Sequence, residues 1–97
     1  MDVFYALAEP TRRSIIEMLA EHGQLSASAI GKRFRTTPSA ISQHLKVLRE
    51  ARMVEVEKRN QQRLYTLNPD AVRQLEEWAR QMSARYDALE TMLEDDN

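Results

Sequence analysis

Apolar residues recur at helical spacing through the first half of the chain, alternate over two short stretches, and return to helical spacing in a long final run. Residues 2–8, DVFYALA, place Val3, Phe4 and Leu7 on one side of a short helix. Glu9-Pro10 restarts the chain, because proline suits a first helical turn where its missing N–H would be unpaired anyway. The second helix runs to about His22 with Ile15, Ile16 and Leu19 inward, and Gly23 supplies a left-handed stop. Ser26 caps a third helix that turns Ala27, Ile30 and Phe34 inward. Thr37 caps a fourth, again with proline in first position.

The period then changes. Val54-Glu55-Val56-Glu57 alternates, as does Leu64-Tyr65-Thr66-Leu67, and the short polar Lys58–Arg63 segment between them makes the pair a hairpin. Asn68-Pro69-Asp70 opens a last helix over about 69–94. The predicted order is four helices, two strands and a helix: a mainly α chain with a small β-hairpin. No repeat, linker or low-complexity tract interrupts residues 1–97, so the expectation is a single domain.

The fourth helix, within TTPSAISQHLKVL, poses a question. With Ile41 at zero and about 100° per residue, Ile41, Leu45 and Leu48 share one side. Ser39, Gln43 and Lys46 point the opposite way, with Ser42 on a flank. A solvated helix exterior favours long charged residues, since serine is a mediocre helix former. Short polar groups instead let a helix approach another surface closely, and an amide offers donor and acceptor together to a base edge. The capped N-terminus adds backbone N–H groups and a positive dipole end. Helix, tight turn and helix match a helix-turn-helix, although by this geometry alone groove contact and plain solvation stand level. The hairpin tilts the balance. Its Lys58, Arg59, Gln62 and Arg63 suit a basic wing, against the alternative that charge merely protects an edge strand.

Charge distribution adds to this. Residues 32–63 hold nine Lys or Arg against three Glu, and residues 68–97 three Arg against eight acids. A basic middle and an acidic end cancel to a net charge of −1, which conceals an electrostatic footprint for a polyanion.

PTRRSIIEML, SAISQHLKVLREARMVEVEKR and LYTL, in that order and across nearly the whole chain, resemble the ArsR-type (arsenic-repressor-like) winged helix-turn-helix family. The resemblance implies a dimeric transcriptional regulator, usually a repressor, whose fourth helix (38–51) enters the major groove of double-stranded DNA at an inverted repeat. Matched position by position, base reading falls on Ser39, Ser42 and Gln43, with Thr37 and Lys46 as backbone contacts. His44 projects nearer the apolar side, where a packed histidine and a phosphate ligand remain equal alternatives. Four departures stand out: the family tends to have glycine where Arg35 and Arg52 stand and near Gln61 in the wing, and an apolar residue at Thr36. Arg35 and Arg52 therefore either adopt backbone shapes that glycine takes more cheaply or sit in slightly different turns, and Asn60 can supply the wing's left-handed residue.

Relatives of this kind often release DNA on binding a metal through a Cys-x-Cys at the third helix or through Asp and His on the last. Here Ser26 and Ser28 stand at the cysteine positions, residues 69–97 hold no histidine, and the chain has no cysteine. Serine is a poor ligand for soft metals, so no metal site and no cofactor are expected. With no nucleophile–base set, no phosphate-cradling loop and two glycines in all, an enzyme is the least supported class. A winged helix that binds protein and has lost DNA reading is the remaining alternative. The N-terminus lacks a signal pattern and no apolar run is long enough for a membrane span, giving a cytoplasmic expectation.

The last helix carries two heptad rows, Val72, Ala79, Tyr86, Leu93 and Leu75, Met82, Leu89. A seam of about 22 residues is ~33 Å long and overshoots so small a domain. A homodimer interface shared with Val3, Phe4 and Leu7 is expected, with Trp78 as an anchor beside it and Glu94-Asp95-Asp96 as a frayed acidic tail.

Overall fold

The computed structural model describes residues 2–95. Each early helix begins where a side chain satisfies an otherwise unpaired N–H. Asp2 accepts from Tyr5 N–H at 2.9 Å and starts α1 (Val3–Leu7). Glu9 accepts from Arg12 N–H at 2.9 Å and starts α2 (Pro10–His22), which ends at Gly23 with φ 83°. Ser26 Oγ accepts from Ala29 N–H at 3.1 Å before α3 (Ala27–Gly31), and Thr37 Oγ1 from Ala40 N–H at 3.1 Å before α4 (Pro38–Glu50).

The sheet holds one strand more than the alternation predicts. β1 (Gln24–Ser26) lies beside β3 (Gln62–Leu67), which lies beside β2 (Val54–Arg59), in the order β1-β3-β2 with both pairings antiparallel. Leu25 faces Tyr65 and Ser26 faces Leu64. Three residues with one apolar side chain have no period to read, and their partner lies far downstream in sequence. The hairpin itself forms as expected: Arg59 pairs with Gln62 across a two-residue turn, and Asn60 adopts φ 58°.

Ile15, Leu19, Ile30, Leu48 and Met53 form the innermost core, joined by Ile41, Leu45, Val54, Tyr65 and Ala71. Full burial of such aliphatic side chains contributes about 1.5–3 kcal/mol each. Val3 and Ala6 belong to this core as well. That corrects the expectation for the first helix: Val3 is buried inside its own chain, Leu7 is half-buried against the same core, and of the three only Phe4 faces outward. A five-residue helix is too short for spacing to choose its inward side.

The last helix, α5 (Pro69–Asp95), has 27 residues and runs about 40 Å. Ala71 is buried and Leu75 packs on the core; beyond them the side chains are exposed apart from half-buried Met82. The helix therefore projects, and the molecule measures 63 × 26 × 24 Å. Arg73 pairs with Asp70, and Arg80 with both Glu76 and Glu77, exposed contacts worth a few tenths of a kcal/mol each. Glu94 and Asp95 are helical rather than frayed, and Asp96 lies outside the described residues. No helix among the described residues is long and apolar enough to cross a membrane.

Candidate nucleic-acid interface

Burial of Ile41, Leu45 and Leu48 fixes the rotation of α4, and between Ser39 and Arg49 the remaining side chains divide into three strips, with Glu50 outward at the helix end. Ser39 and Gln43 point directly outward and are exposed. Ser42, Lys46 and Arg49 form one flank, at about 80–140° from Ile41 on the helical wheel. Ala40, His44 and Val47 form the other, and all three are half-buried. The outward strip is thus short and hydrogen-bonding over the first half of α4. Thr37 is exposed at its start; its hydroxyl oxygen accepts from Ala40 N–H, which leaves the hydroxyl proton available to a phosphate.

The first flank faces the hairpin. Ser42, Lys46, Arg49, Arg63, Ala27, Leu45 and Tyr65 line a shallow cleft of about 320 Å³ between α4 and β3. Tyr65 is buried, and Arg63, two residues earlier, shares its side of the strand and is carried to α4. Lys58 pairs directly with Arg63 in register and so stands on that side too. Arg59 and Gln62 pair with each other on the opposite side, where the Arg59 guanidinium contacts Glu57 at 3.2 Å. The four wing residues singled out by sequence therefore split between two faces. Arg49 was missed among the site residues, although its place three residues after Lys46 is the signal that groups them.

The second flank faces α2. His44 Nδ1 lies 3.7 Å from Glu9 Oε2, so the structure brings His44 to the cap of α2 rather than to the surface shared by Ser39 and Gln43. The backbone N–H of Arg12 holds the Glu9 carboxyl below its ordinary pKa of 4.5 against a small opposing effect of burial, with help from the N–H of Thr11 and from the neighbouring His44. Arg12 also donates from its guanidinium to the carbonyls of Ala6, at 2.7 Å, and Tyr5, at 3.1 Å, tying α1 to α2.

A second surface lies where α1 meets α5. Phe4 and Trp78 meet edge to face with ring centroids 5.2 Å apart, and both remain substantially exposed. Along α5, Val72, Ala79, Tyr86, Leu89 and Leu93 are exposed, while Leu75 and Met82 are half-buried. Tyr5 and Met92 are further exposed apolar side chains that the seam did not include. Among the described residues, no group of three or more His, Cys, Asp or Glu is placed to hold a metal ion.

Comparison with known proteins finds helix-turn-helix regulators. A family profile described as a helix-turn-helix domain matches residues 7–57. The HTH-type transcriptional regulator Rv2034 of Mycobacterium tuberculosis is 44% identical over 64 residues, which are 66% of this chain and 59% of that regulator's length. The transcriptional repressor SdpR of Bacillus subtilis is 31% identical over 77 residues, covering 79% of this chain and 84% of the repressor. Among solved structures, a possible transcriptional regulator for arsenical resistance superposes with a TM-score of 0.77 at 35% identity, over 84% of each chain.

Proposed function

From the premise that the chain belongs to the ArsR-type winged helix-turn-helix regulators, which are DNA-binding proteins, we propose that it acts as a homodimeric repressor reading an inverted-repeat operator. The first half of α4 enters the major groove, where Ser39, Ser42 and Gln43 meet base edges. Thr37, Lys46 and Arg63 hold the phosphate backbone, and Lys58 extends the wing along it. Arg59 and Gln62 sit at the wing tip. His44 supports α4 from behind through Glu9.

Two copies joined through α5 and Phe4 present two such helices, and bound dimers exclude polymerase from the promoter they occupy. One observation carries the reading: the outward strip of α4 is short, polar and exposed, and it lies next to cations on the wing-facing flank.

The test is selection of bound fragments from the parent genome, followed by footprinting of those recovered. Two protected half-sites about one duplex turn apart, with affinity falling steeply as salt rises, are the expected result. Failure to retain any fragment at low salt would overturn the proposal.

A further inference from the structure

The feature that base reading leaves unused is the charge gathered in the cleft between α4 and β3. Lys46, Arg49 and Arg63 all line it, together with Ser42 and no carboxylate. Among the described residues none of these three cations takes part in an ion pair; the basic groups that do are Arg59, Arg73, Arg80 and His44. Glu50 shares a neighbouring shallow groove with Lys46 and Arg49 but pairs with neither.

Three like charges around so small a space repel one another, and an anion seated among them removes that repulsion. Ala27, Leu45 and Tyr65 supply an apolar floor, which strengthens the attraction to such an anion. A guanidinium fork and an ammonium both match tetrahedral phosphate oxygens, and the Ser42 hydroxyl can donate one more hydrogen bond. The cleft adjoins the reading strip, so a duplex strand following α4 passes its mouth.

We infer that Lys46, Arg49 and Arg63 clamp a single backbone phosphate of DNA. Arg49 is the positioning residue through which that phosphate locks the reading helix to the wing. The inference rests on the DNA-binding reading above and deepens it. One wall of the clamp is α4 and the other is β3, so its occupation fixes the angle at which α4 lies in the groove.

Titration of an operator fragment over a range of salt concentrations tests this with R49Q, R49K, R63Q and R49Q/R63Q, and with R85Q on α5 as control. R49Q is expected to lose on the order of tenfold affinity for every sequence alike, with a salt slope shallower by about 0.9 for each phosphate contact removed. R49K should regain most of it. The double variant should lose less than the product of the two single losses, because both arginines hold one phosphate. Neutral methylphosphonate at one backbone position per half-site should make R49Q and the parent protein bind alike.

Binding by R49Q indistinguishable from the parent's overturns the clamp while leaving DNA reading intact. Fully independent losses in the double variant overturn the single shared phosphate. A parent protein that binds no DNA overturns the reading itself. Arg49 is exposed, so thermal unfolding of R49Q should match the parent's and separate binding from folding.

Discussion

The side-chain amide of Asn68 donates to the carbonyl oxygen of Arg52 at 2.9 Å, and Arg52 holds φ 60°. Arg52 stands just past α4, whose end is closed by Met53 N–H on Leu48 O at 2.9 Å and Arg52 N–H on Arg49 O at 3.0 Å. Asn68 also accepts from Asp70 N–H at 3.0 Å, so one side chain braces a left-handed arginine and opens α5. A left-handed non-glycine residue costs about 1–2 kcal/mol, more than the ~0.5–1 kcal/mol of extra backbone freedom glycine loses on folding. Arg52→Gly is therefore expected to raise stability by about 0.5–1 kcal/mol. Asn68→Ala should lower it by about 1–2 kcal/mol, since two hydrogen bonds go unmade. Thermal unfolding measures both, and an unshifted midpoint in Asn68→Ala would dismiss the brace.

Gln43 is exposed at the centre of the outward strip of α4, and its side-chain amide has no hydrogen-bond partner among the described residues. If its amide meets a base edge in both directions, Gln43→Ala should cost about 1–3 kcal/mol at the cognate base pair and little at others. Competition between operator variants reads this directly. Stability should not change. A variant with the parent's sequence preference would remove Gln43 from the reading set.

The contrast between Gln43 and its neighbours shows what the chain discloses before it folds. Caps are local, so Ser26 and Thr37 could be read from their own segments, and both bond the third residue after them. The outward strip of α4 was legible for a similar reason, because three apolar residues on that same helix fix its rotation. Flank positions are different. His44 at about 300° and Arg49 at about 80° on the wheel acquire meaning only from Glu9 on one side and Arg63 on the other, and no periodicity names either neighbour. β1 fails for the same cause, since its partner is β3. Of the two arginines at glycine positions, Arg52 takes the left-handed shape, whereas Arg35 does not, so the turn before α4 follows the other alternative and differs from a glycine turn.

Glu9 ties acid stability to the start of α2. Its carboxylate accepts from Arg12 N–H, and the charged form is favoured in the fold, so its pKa lies below the ordinary 4.5. The folded protein then binds fewer protons than the unfolded chain in the window between the two values, and stability rises with pH there. The contribution is fully present above about pH 4.5 and disappears as pH falls through the lower folded value. Glu9→Gln should flatten the melting temperature profile below pH 4.5. An acid limb as steep as the parent's would assign the effect to other carboxylates.

Val3 and Tyr86 separate folding from assembly. Val3 is 3% exposed inside the protomer, whereas Tyr86 is 64% exposed on the projecting part of α5. Val3→Ala removes buried methyl groups and should cost about 1–2 kcal/mol of folding stability at any protein concentration. Tyr86→Asp and Leu89→Asp touch no core residue of their own protomer, so monomer folding should survive, while charge placed in a two-copy seam should break it. Sedimentation equilibrium with circular dichroism distinguishes the outcomes. Helical, monomeric Leu89→Asp protein that binds an isolated half-site but not the full operator tightly is expected if α5 joins the copies. An Asp variant that still sediments as a dimer would place the contact elsewhere on the chain and remove the geometric basis for two half-sites one turn apart.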